Sequence, residues 1–223
     1  MMESRWVILM GVAGCGKGTQ SEYLAKNNSF TVISVGELLR SNKDKVIDAS
    51  GETIGRVITS GALLPDVVVL DLVKAELEKI DNVASKNVLF DGFPRTPGQA
   101  EALNKIAEGF GKKIDCVLRF IIDDGVVTKR IMGRYKCSKC GKIYNDYFLK
   151  PVKDGVCDVC GGTEFDRRAD DNEESLKMRL KEYHTTTIAL IDFYSKMGVL
   201  KEINADADFE SVRKSVLKSL DLS

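Results

Sequence analysis

Long apolar runs are missing from this 223-residue chain; stretches such as Trp6–Met10 are far too short to cross a bilayer. The opening MMESRW has no signal-peptide apolar segment, so the expected compartment is the cytoplasm. Net charge is missing too. The 33 basic residues balance 33 acidic ones, which argues against a whole-protein attraction to nucleic acid or membrane. Neither internal repeats nor low-complexity tracts occur. Histidine is nearly absent, and the only one, His184, sits in a helical pattern that suits a packing or surface residue better than a general base. In a reducing compartment the six cysteines are not expected as disulfides.

What is present is an ordinary globular composition, 43% hydrophobic and 30% charged, long enough for one sizeable core with insertions. Strand-like apolar runs at 6–10, 31–34, 88–90 and 117–122 alternate with helical patterns at 17–25, 66–80, 96–110, 124–134, 172–197 and 208–220. Pro65 stands where the second of these helices would begin. Such alternation predicts an α/β fold, a parallel sheet with helices on both faces. Two stretches break it. Residues 34–64 carry helical pieces and glycines without a strand, and 136–167 is rich in Cys, Gly, Lys and Asp. Both read as insertions on the α/β body, and long insertions near a phosphate site are often lids.

The phosphate site is announced by Gly11 to Gln20, GVAGCGKGTQ, directly after the first strand. Backbone N–H groups of a glycine-rich turn, backed by a helix N-terminus, form a polyphosphate cradle. Gly14, Cys15, Gly16, Lys17, Gly18 and Thr19 are its candidate residues, with Lys17 as a mobile cation for the β/γ-phosphates. Gly18 stands where Ser or Thr usually follows the lysine; it is expected to keep the first helical turn slim while Thr19 supplies the oxygen.

Cys137-x-x-Cys140-Gly and Cys157-x-x-Cys160-Gly form two knuckles, each offering two thiolates to one side of an ion. Four protein ligands leave no position for substrate, so a structural Zn2+ is expected, replacing the core this segment lacks. Cys116 reads as packing, and Cys15 as a loop residue whose backbone matters more than its thiol. A zinc ribbon in a nucleic-acid-binding module is the rival of a different class. Lys142, Lys150 and Lys153 are offset by Asp146, Asp154, Asp158 and Glu164, so no basic stripe emerges.

Asp91-Gly-Phe-Pro-Arg95 follows the third strand, and a carboxylate at that strand end is well placed to orient a hydrated Mg2+. Arg95 would face the same crevice. Arg130 and Arg134, four apart, are expected on one helical face before the cysteine segment; Arg167, Arg168 and Arg179 follow it. Arginines on both hinges of a lid suit phosphoryl transfer, which needs charge neutralisation, alignment and exclusion of water.

GVAGCGKGTQ, ISVGELLR (33–40), DGFPRTPGQAE (91–101), KRIMGR (129–134) and RRADDNEE (167–174) resemble adenylate kinases with a long, zinc-binding lid, over about residues 5–220. The resemblance implies a P-loop nucleoside triphosphate hydrolase-like core (1–33, 65–132 and 172–223), an AMP-binding insertion (34–64) and a lid (133–171). It implies the reaction ATP + AMP = 2 ADP with Mg2+, in a monomer. By motif, ATP would meet the loop residues, Arg130, Arg134, Ile143, Tyr144 and, at its base, Ala207. AMP would meet Val35, Arg40, Ala62, Leu63, Leu64, Gly92, Phe93, Pro94, Arg95, Gln99, Arg168 and Arg179, with Gln99 reading the adenine edge. Lys17, Asp91, Arg95, Arg130, Arg134, Arg168 and Arg179 would carry the catalysis. Asp170 and Asp171 would latch the lid. The nearest alternative is the same chemistry on another base, with UMP, CMP or GMP as acceptor or GTP as donor.

Overall fold

A computed structural model describes residues 4–222. Strand β1 (Trp6–Met10) is buried along its whole length, as a central strand covered on both faces must be. It runs into α1 (Lys17–Asn27), β2 (Phe30–Ser34), α2 (Val35–Ser41), α3 (Ile54–Ser60) and α4 (Asp66–Glu78). Then come β3 (Asn87–Asp91), α5 (Pro97–Gly109), β4 (Cys116–Ile121) and α6 (Asp124–Met132). The cysteine segment contributes β5 (Arg134–Cys137), β6 (Ile143–Asn145) and β7 (Phe165–Asp166). The chain ends with α7 (Glu173–Glu182), a π-helical turn (Tyr183–Thr187), α8 (Ala189–Lys196), β8 (Leu200–Asn204) and α9 (Phe209–Ser219). No helix among the described residues is long and apolar enough to cross a membrane.

Five strands pair in parallel in the order β2-β3-β1-β4-β8. Alternate residues of β1 face opposite sides. Trp6, Ile8 and Met10 pack with Val73, Leu77, Leu103 and Tyr194, from α4, α5 and α8. Val7 and Leu9 pack with Leu24, Val127 and Val216, from α1, α6 and α9. The α/β expectation is met, with helices on both faces.

Three local expectations are corrected. The residues 200–204 form the edge strand β8, whose exposed outer positions Lys201 and Glu202 hid it from an apolar-run reading. The helical pattern at 172–197 is not one helix. The π turn interrupts it, where Thr187 sends its hydroxyl to the Arg95 carbonyl at 3.0 Å. Arg134 does not share a helical face with Arg130: α6 ends at Met132 and Arg134 opens β5.

Residues 34–64 form α2 and α3, and Gly61 caps α3 in the left-handed region at φ 84°. A methyl group there would sit 2.4 Å from the backbone oxygen of Ser175, so only glycine lets this insertion lie against α7. The cysteine segment builds a three-stranded antiparallel sheet, β6-β5-β7. Its core is small: Cys137, Tyr144 and Cys157, flanked by Tyr135, Cys160 and Phe165.

Candidate active site

The parallel register sets Leu9 of β1 opposite Asp91 at the end of β3. The phosphate loop therefore starts beside the Asp91 carboxylate, at the carboxyl ends of the strands where α/β sheets bind ligands. Gly14 has φ 80° and Gly16 φ 102°, backbone shapes that side chains resist. A Cβ on Gly14 would also strike Ile131 of α6 at 2.7 Å. Lys17 is buried, and its ammonium donates to the carbonyls of Gly11 (2.7 Å) and Val12 (2.9 Å), with Cys15 Sγ at 3.4 Å. Cys15 is thus a core residue with its sulfur under the lysine. Cys116 is buried as well, and burial pushes its thiol up to about 11.

Gly18 is the second residue of α1. A Cβ there would meet only Asp91 Oδ2, at an ordinary 3.7 Å, so the protein's own packing does not require glycine at this position. Gly18 and Thr19 are both exposed at the mouth of the loop.

A crevice opens beside the loop, lined by Lys17, Leu63, Gly92, Pro94, Arg95 and Arg179 among others. Arg95 is held by its own turn, Nε to the Gly92 carbonyl at 2.9 Å. Burial lowers its affinity for the proton, and the nearby Arg179 cation lowers it further. Asp91 shifts the other way: burial raises it, with Lys17 opposing. Gln99 is buried at the base of α5; its Oε1 accepts from the Arg95 N–H and its Nε2 donates to Asp66 Oδ1, both at 2.8 Å.

The remaining arginines meet three carboxylates. Glu37 Oε1 accepts from Arg40 (2.6 Å) and from Arg168 (2.9 Å), joining the first insertion to the far hinge of the cysteine segment. Burial opposes ionisation of Glu37, yet the Arg40 and Arg168 cations hold it below the usual range. Asp170 pairs with Arg179 and lies 3.6 Å from Arg40; Asp171 takes Arg134 in a two-pronged pair (2.7 and 2.5 Å). Burial opposes ionisation of Asp170 also, and Arg179, then Arg40, outweighs it. Arg168 is shifted down by burial and by its neighbours Arg134 and Arg40. Arg130 is separate, its guanidinium 5.8 Å from the Phe148 ring centre.

The other sequence-nominated residues divide by position. Gly92 and Pro94 line the crevice with Leu63, whereas Leu64, Val35 and Phe93 are buried in the core, Phe93 against Phe90. Ala62 follows the α3 cap and is half-buried. Ala207, just past β8, packs on the core around Val7 and Leu9. Ile143 is half-buried on β6, and the Tyr144 ring points into the core of the cysteine segment, against Tyr135 and Phe165. Its hydroxyl lies 3.4 Å from Cys157 Sγ, so the Tyr144 side chain supports the cysteine cluster. His184 is exposed and reaches Asp124 at 3.0 Å, as suits a surface residue. Glu37, Asp66, Thr96 and Thr187 were not nominated from sequence. Asp66, the first residue after Pro65, and Thr96, just before Pro97, carried local signals, and those signals spoke of helix starts.

The two cysteine knuckles repeat one geometry. Gly141 N–H bonds the Cys137 carbonyl and Gly161 N–H the Cys157 carbonyl, each at 2.9 Å. Gly141 and Gly161 take φ of 75° and 68°, the conformation expected of the glycine after each pair. The four sulfurs lie within 4.8 Å of one another. Zn–S bonds of about 2.3 Å set tetrahedral sulfurs roughly 3.8 Å apart, so the cluster fits such an ion.

The adenylate kinase family model matches residues 9–199. An adenylate kinase of Caldicellulosiruptor bescii is 42% identical over 214 residues, covering 96% of this chain and 98% of that protein. One from Bacillus cereus (strain G9842) is 42% identical over 206 residues, covering 92% and 94%. One from Zymomonas mobilis is 40% identical over 198 residues, covering 89% and 87%. A phosphate loop, an aspartate at the next strand end, converging arginines and matches of this extent lead to one statement: the chain belongs to the adenylate kinase family.

Proposed function

We propose that the crevice catalyses reversible in-line transfer of the terminal phosphoryl group of ATP to AMP, giving 2 ADP without a covalent enzyme intermediate. The observation that carries this is the convergence of Lys17, Asp91, Arg95 and Arg179 between the phosphate loop and the 34–64 insertion. Phosphoryl transfer asks little covalent help of a protein and much alignment and charge neutralisation. The loop from Gly14 to Thr19 holds the ATP phosphates on backbone N–H groups, and Lys17 exchanges its carbonyl partners for the transferring group. Arg40 and Arg95 hold the AMP phosphate, and Arg168 and Arg179 reach the phosphates from the far side. Leu63 and Gln99 border the AMP base. Arg130, Arg134 and Ile143 cover ATP from the lid, with Ala207 beside its base. Asp91 orients hydrated Mg2+, which supplies charge neutralisation at the phosphates when bound.

In this reading 1–33, 65–132 and 172–223 form the core, 34–64 the AMP side and 133–171 the lid. Closure of both insertions keeps water from replacing AMP as acceptor. Cys137, Cys140, Cys157 and Cys160 hold a structural Zn2+ that orders the lid. ATP, AMP and ADP are the partners, in a cytoplasmic monomer that needs neither nucleic acid nor membrane. The test is a coupled assay across AMP, UMP, CMP and GMP as acceptors and ATP and GTP as donors. ATP with AMP should dominate, and the analogue joining two adenosines through five phosphates should inhibit tightly. Equal turnover on another base would overturn the assignment of substrate.

A further inference from the structure

A glutamine amide is ambiguous as a reader of bases. Turned one way it offers N–H and C=O in the order that complements the amino group and bare nitrogen of a 6-aminopurine. Turned over, it complements the carbonyl and N–H of a 6-oxopurine instead. Discrimination therefore depends on what prevents Gln99 from turning over.

The surroundings of Gln99 answer this. Its Oε1 faces the Arg95 backbone N–H, which can only donate, and its Nε2 faces the Asp66 carboxylate, which can only accept. A reversed amide would set oxygen against carboxylate and N–H against N–H, losing two hydrogen bonds and gaining two repulsions. Asp66 is itself fixed. Its second oxygen accepts the Thr96 hydroxyl at 2.8 Å, and that hydroxyl oxygen caps α5 by accepting the Gln99 N–H at 3.1 Å. Gly98 leaves room for the carboxylate, since a Cβ there would lie 2.9 Å from Asp66 Oδ2. After these bonds, Gln99 keeps one N–H and one oxygen lone pair for a ligand, in a single order.

We propose that Asp66 is a positioning residue that locks the Gln99 amide and thereby sets the preference for a 6-amino over a 6-oxo purine monophosphate. This rests on the reading that Gln99 meets the acceptor base. Asp66 touches no substrate; it acts from the first turn of α4 through a side chain 33 residues away.

The test compares kcat/KM for AMP and for inosine 5′-monophosphate, with ATP as donor, in wild type, Asp66→Ser, Asp66→Ala and Gln99→Leu. Serine is well tolerated at a helix start but too short to reach Gln99. The expected result for Asp66→Ser is an AMP-to-IMP ratio narrowed about tenfold, the value of one exchanged hydrogen bond, with the KM for ATP unchanged. A merely structural loss would lower both substrates alike and leave the ratio fixed. A ratio within twofold of wild type in whichever Asp66 variant folds, while Gln99→Leu narrows it, would overturn the lock. A ratio untouched by Gln99→Leu would instead sink the reading that Gln99 meets the base.

Discussion

Gly61→Ala tests how the 34–64 insertion, the proposed AMP side, is seated. Alanine at φ 84° costs about 1–2 kcal/mol in backbone strain alone. Its methyl would also lie 2.4 Å from the Ser175 oxygen, and both the α3 end and α7 backbones are involved, so no side chain can yield. The insertion must retreat by about 1 Å to reach ordinary contact. That retreat lengthens the Glu37–Arg168 and Arg40–Asp170 pairs, which span the same gap. Misplacement of this size costs on the order of 100-fold in rate when it acts on a phosphate clamp. At saturating ATP, kcat/KM for AMP should therefore fall roughly 10- to 100-fold, while ATP affinity measured alone stays within about twofold. The strain should lower the melting temperature by roughly 2–8 °C. Gly51→Ala is the control: it has φ 80° in the same insertion with nothing within 4 Å, so it carries the strain without the collision. Gly61→Ala with AMP kinetics equal to those of Gly51→Ala would refute the reasoning.

Three further outcomes follow. Lys17→Met should cut kcat by roughly 100-fold or more with the melting temperature shifted by no more than about 5 °C, checked by steady-state kinetics and calorimetry. Chelating zinc or replacing Cys137 with serine should lower the melting temperature by about 5 °C or more, and lower activity at 15 °C far less; unchanged melting of a metal-free sample would defeat the structural-zinc reading. Asp91→Asn should raise stability at pH 7. The folded pKa of Asp91 is raised by burial, so the ionised carboxylate opposes folding above its ordinary value of 3.8. The gain should vanish as the pH drops below that value, and turnover should fall at least about tenfold at every pH.

The sequence made the sheet centre and the loop legible because both are written locally. Trp6–Met10 is apolar at every position, and a strand so composed has to be covered on both faces. The cysteine cluster was legible because spacing alone constrains four thiols. Arg134 was misjudged because helical spacing continues through Gly133, and only the pairing of Arg134 with Asn145 shows that a strand has begun. That the Tyr144 ring packs in the core of the cysteine segment was not legible, since a motif carries position but not the direction of a side chain. Gln99 was nominated, but its lock was not visible, because Asp66 opens α4 while Thr96 caps α5, and only folding brings the two helix starts together.

Glu37, Asp170 and Asp171 give the shared arginines a further meaning. Four guanidiniums, of Arg40, Arg134, Arg168 and Arg179, are already matched by three carboxylates. Under the proposed function these arginines act as an ion exchanger rather than a bare cationic trap: a nucleotide phosphate would replace an anion the protein supplies. Affinity is then a difference between two charge-assisted contacts, and added salt weakens both sides of the exchange. A cluster of this charge density can consequently hold polyphosphates and still release them.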